Sequence, residues 1–221
     1  MQKNQKTDGA AARDASLKTA AVKGGRRERR RLETREKLYR TAMELFAKHG
    51  FFETTTEDIT EAADLGQGTF FNYFPTKSHV LLVLSEKQLE KVRAATREAE
   101  SGSARIGQVF RRFIHLIVEE LSRSQALTRS LLTTFVSQEE VRTVMADTLS
   151  QGREGLARIC AIGQERGEIR RDRKAAVLAM TFQRNVLGTL LIWAMQSKGE
   201  LHAWLEKALE DFWEVAGTKK P

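Results

Sequence analysis

The 221-residue chain has a single cysteine, Cys160, only two prolines, Pro75 and Pro221, and few aromatic residues, 7% in all. One cysteine excludes an intramolecular disulfide and any zinc site built on several cysteines, and it fits a reducing compartment. Scarce proline leaves long stretches free to form helices, since proline removes a backbone donor and clashes with the preceding turn. Alternating segments rich in Val, Ile and Thr are missing, as is any internal repeat, which argues against strands and repeat architectures. No run of 18 or more apolar residues occurs, and the apolar window 186–195 is short, so no membrane span is expected. Residues 10–22, broken by Arg13, Asp14 and Lys18, lack the apolar core of a secretory signal. The expected fold class is all-α and the expected location is the cytoplasm.

Charge is present but unevenly placed. The formal net charge is +8, and residues 1–31 carry +7 of it, leaving the remainder nearly neutral. Those first residues hold almost no large apolar side chains, so they are expected to form a basic arm without fixed structure. The arm ends in five arginines within 26–31 (Arg26, Arg27, Arg29, Arg30 and Arg31), a composition that either keeps the chain soluble or reaches DNA phosphates and an adjacent minor groove.

From Leu32 onward the apolar spacing becomes helical. Leu38, Ala42, Leu45 and Phe46 share a face, and Gly50 is a plausible terminating residue. Thr55 with Asp58 three residues on predicts an N-cap, ahead of Ile59, Ala62 and Ala63. A break at Asp64, Leu65 and Gly66 leads into a short helix from Gln67 towards Phe74, which Pro75 ends. Two short helices joined by about three residues make a helix-turn-helix, in which the second helix enters the DNA major groove. Leu38, Phe46, Ile59, Ala62, Leu65, Phe70 and Phe74 are the expected small core that sets their angle.

Thr34-Arg35 with Ala42 and Phe46, then the stretches 55–59 (TTEDI) and 68–77 (GTFFNYFPTK), resemble the N-terminal DNA-binding domain of TetR-type transcriptional regulators. The resemblance covers about residues 32–84. It implies a homodimeric repressor with a palindromic operator, an effector pocket in the C-terminal part, and no cofactor. By the same resemblance Gln67, Thr69 and Asn72 face base edges or nearby phosphates, while Arg35, Thr55, Thr56, Tyr73 and Lys77 grip the backbone. The residue types suit these roles, because hydroxyls, Lys and Arg donate to phosphates and amides read adenine. Gly68 keeps the start of the second helix slim. Three positions depart from the family pattern: Asp64 stands where glycine is usual, Gly66 where serine is common, and Phe71 where tyrosine is common. Residues 32–76 also carry four basic groups against eight acidic ones, a net of −4 that suits DNA poorly and points back to the basic arm.

The expected organisation is therefore an arm over 1–31, a helix-turn-helix domain over 32–79, and a helical ligand-binding and dimerisation domain over 80–221. Residues 175–195 are apolar on more than one face and need burial on several sides; with 201–215 they predict a homodimer interface through 175–215. Phe110, Phe113, Ile114, Phe135, Met145, Cys160, Met180, Phe182 and Trp193 are candidates to line a cavity for a largely apolar small-molecule effector. Aromatic and Met side chains at helical spacing are more often plain core. The four histidines are scattered, and no acid–base, nucleophilic, metal or phosphate-loop constellation appears, so no enzyme activity is expected. Two other classes remain open here: a helical enzyme with a buried pocket, and an adaptor or membrane-surface protein that uses the arginine-rich arm.

Overall fold

The computed structural model describes residues 8–119, 121–196 and 199–218, with side chains from residue 25 onward except that of residue 123. Among them are nine α-helices and no strand: α1 (Asp8–His49), α2 (Thr56–Ala62), α3 (Gln67–Phe71), α4 (Val80–Ser101), α5 (Ile106–Val118), α6 (Gln125–Ser137), α7 (Glu139–Glu165), α8 (Ala175–Met195) and α9 (Leu201–Ala216). Single 3-10 turns precede α4 and α6.

The first helix differs from expectation. It begins at Asp8 and runs unbroken to His49, so residues 8–31 extend the helix-turn-helix unit instead of forming an unstructured arm. Weak burial favours disorder only where local propensity is also weak, and this stretch is dominated by Ala, Arg, Lys and Glu, all good helix formers. Residues 25–31 are exposed throughout. The extension therefore rests on propensity and on local pairs such as Arg29–Glu33 (3.9 Å) and Arg31–Glu28 (3.7 Å). Residues 1–7 of the predicted arm lie outside the described residues.

Local chemistry sets the breaks. Gly50 ends α1 at φ +91°, a left-handed conformation that glycine adopts without steric penalty. Thr55 then caps α2: its hydroxyl accepts from the Asp58 amide (3.0 Å), and the Asp58 carboxylate accepts from the Thr55 amide (2.8 Å). Asp64 makes the turn to α3 at φ +51°, the one non-glycine residue with positive φ among those described. Gly66 caps α3 with no side-chain bond.

Two apolar cores result. The first unites α1, α2 and α3 through Leu38, Phe46, Ile59, Phe70 and Phe74, with Leu65 half-buried against them. Ala62, expected in this core, is exposed, and its neighbour Ala63 is fully buried in its place. The core does not stop at residue 79. Leu81 and Leu84 from α4, Leu127 and Leu131 from α6, and Val141 from α7 complete it.

The second core joins the rest of α4 and α7 to α5, α8 and α9. Its centre is an aromatic cluster in which Phe110, Phe182 and Phe212 meet at centroid separations of 4.6 to 5.5 Å. α8 is long and apolar enough to cross a membrane by length and composition, with a mean hydropathy of 1.4. A count of uninterrupted apolar residues missed this, because Thr181, Gln183, Arg184 and Asn185 break the run. Here α8 packs along α6, α7 and α9, burying Leu178, Phe182, Val186, Leu190 and Trp193.

Candidate nucleic-acid interface and apolar cavity

α3 is anchored by Phe70 and Phe74, both buried, with rings 5.4 Å apart. With that face fixed, Gln67, Gly68, Phe71 and Asn72 are exposed, while Thr69 and Tyr73 are half-buried. Phe71 is 52% exposed, unusual for a phenylalanine, and its ring stands edge-on to Phe70 at 5.6 Å. Thr55 is exposed at the head of α2, and the Thr56 hydroxyl donates to Glu57 (3.1 Å). The Gln67 amide donates to the same Glu57 carboxylate. Glu57 thus joins the N-terminal ends of α2 and α3 and brings Thr56 and Gln67 to one place. Its own backbone N–H and the Thr56 hydroxyl hold its carboxyl below the usual range, keeping it ionised. Nothing in the sequence pattern distinguished Glu57 from other surface acids.

Two expected phosphate contacts have other occupations. Lys77 turns inward, donating from Nζ to the carbonyls of Phe51 (2.5 Å), Thr54 (2.7 Å) and Phe52 (3.4 Å), with its ammonium 4.5 Å from the Phe51 ring centroid. Burial pushes its pKa down from the ordinary lysine value. Arg35 makes two hydrogen bonds to Glu86, at 2.9 and 2.8 Å, and lies over the Phe74 ring. Both residues brace the unit from within. Sequence spacing places a side chain at a position but does not say which carbonyls or carboxylates it will meet.

A second feature lies among the later helices. An apolar cavity of about 340 Å³ opens between α4, α6, α7 and α8. Two of the candidates, Phe135 and Met145, line it together with Leu84, Leu131, Leu149 and Leu187. A small void of about 80 Å³ adjoins it through the shared residues Gln88, Ile117, Thr148, Leu149, Val186 and Leu187, and Phe113 and Phe182 border that void. The remaining candidates line neither. Phe110, Ile114 and Cys160 are fully packed in the second core; Trp193 donates its indole N–H to the Gly199 carbonyl (2.9 Å); Met180 is half-buried outside both spaces. Aromatic and sulfur side chains at helical spacing look alike in sequence whether they fill a core or border a cavity.

One signal could have found the cavity. Along α4 the stripe Leu81, Leu84, Gln88, Val92, Ala95, Ala99 carries a single polar residue, Gln88, and Gln88 lines both spaces.

Residues 38–84, from the middle of α1 into α4, match the family described as bacterial regulatory proteins, tetR family. Over these residues the chain is similar to the N-terminal domain of TetR-family regulators. Among its relatives, the transcriptional regulator TcmR of Streptomyces glaucescens is 43% identical over 58 residues, 26% of each chain. The transcriptional repressor DhaR of Mycobacterium sp. strain GP1 is 26% identical over 151 residues, covering 67% of this chain and 76% of DhaR. The chain also superposes on FadR of Thermus thermophilus, a TetR-family repressor solved with lauroyl-CoA, at a TM-score of 0.60 and 28% identity, covering 85% of this chain and 97% of that one. The chain spans about a quarter to a half of the length of the first curated relatives it matches.

Proposed function

We propose that the chain is a sequence-specific, ligand-responsive transcriptional repressor that works as a homodimer on a palindromic operator. The observation that carries this reading is a sharing of residues. Leu84 and Leu131 are built into the core that sets α3 and also line the apolar cavity. A ligand that fits the cavity best when these side chains are displaced would favour an arrangement in which α3 is misplaced for DNA, lowering operator affinity.

In this reading Gln67, Gly68, Phe71 and Asn72 face the groove, and Thr55 and Thr56 approach phosphates. Phe71 offers an apolar face to a thymine methyl group, and Asn72 and Gln67 offer amides to base edges. Arg35 and Lys77 act by positioning. The exposed arginines of 26–31 supply the positive charge that residues 32–76 lack.

Homodimerisation is assigned to 175–215, where Val177, Leu191, Ile192 and Met195 on α8 and Val215 on α9 leave apolar side chains at 45–74% exposure. The cavity lining favours a largely apolar effector, and the acyl chain of the ligand seen in the FadR relative is of that kind.

The test is selection of random duplexes by the full-length protein at near-physiological salt, beside Gln67→Ala and Asn72→Ala. Recovery of a palindrome that the variants lose supports the reading. No enriched sequence from a folded, ligand-free protein overturns it and shifts weight to an enzyme or an adaptor.

A further inference from the structure

The polar side chains that border the cavity are few, and among them only Gln88 carries a buried atom with no hydrogen-bond partner among the described residues. The Thr128 hydroxyl donates to the Leu121 carbonyl (2.9 Å), the Thr148 hydroxyl to the Val144 carbonyl (2.8 Å), and Arg142 to the Val136 carbonyl (3.1 Å). Gln88 differs. Its Nε2 donates to the Ile117 carbonyl at 3.3 Å, which fixes the orientation of the amide. Its Oε1 is buried and accepts no hydrogen bond from any described residue.

An amide oxygen in an apolar space is costly to leave without a donor. A ligand that brings a donor to this oxygen removes that cost. Hydrocarbon, ether, ester and thioester groups carry no donor. Hydroxyl groups do.

We infer that the cavity selects an apolar molecule bearing one hydroxyl group, an alcohol or a phenol, with the hydroxyl donating to Gln88 Oε1, and that Gln88 is the residue that determines this specificity. The inference rests on the reading of the cavity as the effector site. It narrows that site from apolar ligands in general to those with a single donor placed at α4. The position also has consequences for signalling: Gln88 lies one turn beyond Leu84 on α4, and its amide holds the end of α5 through Ile117. A hydroxyl engaged there ties ligand to the helix that leads directly into the DNA-reading core.

The experiment compares para-octylphenol with its methyl ether, para-octylanisole, two probes of nearly equal shape that differ in the donor. Binding to the full-length protein is followed by calorimetry or tryptophan quenching, for the natural chain and for Gln88→Leu and Gln88→Met. The natural chain is expected to prefer the phenol by about tenfold or more. Both variants should bind the ether and hold the preference to about twofold.

Equal affinity of the natural chain for both probes overturns the inference, and that comparison stands even if a variant does not fold. A preference that survives in folded variants overturns Gln88 as the reader. Binding of neither probe overturns the cavity as an effector site and this inference with it. Phenol selectivity without release from a selected operator sustains the inference while the regulatory reading fails.

Discussion

Arg35 and Glu86 stand 51 residues apart in sequence and share two parallel hydrogen bonds of 2.9 and 2.8 Å, fastening α1 to α4. The next residue in each helix repeats the link with reversed polarity, Lys87 donating to Glu36 at 2.9 Å. Both pairs are partly exposed, so each contributes at most about 1 kcal/mol. Double-mutant unfolding of Arg35→Met and Glu86→Gln is expected to show a coupling of about 0.5–1 kcal/mol. Additive effects in denaturant titration would remove Arg35 from its positioning role and return it to the phosphate-contact assignment.

Lys77 serves the loop between α1 and α2. Three backbone carbonyls accept from it, and no water-filled phosphate groove is needed to explain its place. Lys77→Met should lower stability by about 1–3 kcal/mol through the carbonyls left unpaired. The salt slope of operator binding, measured on protein that remains folded, should stay close to that of the natural chain. A slope reduced by about one would mean that Lys77 neutralises a phosphate after all.

The cap of α2 gives an acid sensitivity of known sign. Hydrogen bonds from the Thr55 backbone and hydroxyl hold the Asp58 carboxyl below its ordinary value of 3.8. A carboxyl depressed in the folded state contributes its full stability above the unfolded value and loses it as pH falls through the folded one. Acid titration of the natural chain and Asp58→Asn, followed by circular dichroism, should therefore converge below pH 3.8 and separate above it. At neutral pH, Thr55→Ala is expected to cost about 1 kcal/mol. Identical curves at every pH would show that the cap carries no stability.

Cys160 is fully buried in the second core, and burial pushes its thiol up to about 12. At pH 8 almost no thiolate forms and the sulfur has no access to solvent. Labelling by a thiol reagent should follow global unfolding, slow in buffer and fast in denaturant. Prompt, stoichiometric labelling of the native protein would reopen a redox role for this residue.

The sequence by itself determined the all-α class, the capping box at Thr55 and Asp58, the breaks at Gly50 and Asp64, and the helix-turn-helix, because these depend on spacing and on short-range backbone chemistry. It could not assign Arg35 and Lys77, whose partners come from other segments, nor place Ala63 rather than Ala62 in the core, where one residue of helical rotation decides. Residues 8–31 carry little to bury yet are helical, because local propensity alone sets their conformation. Only the tertiary structure decided which apolar side chains fill space and which border it. Phe110 and Ile114 became core, Phe135 and Met145 became cavity wall, and Leu131 joined the first core to that wall. That distinction depends on where helices distant in sequence pack imperfectly against each other, and no periodicity within a single helix records it.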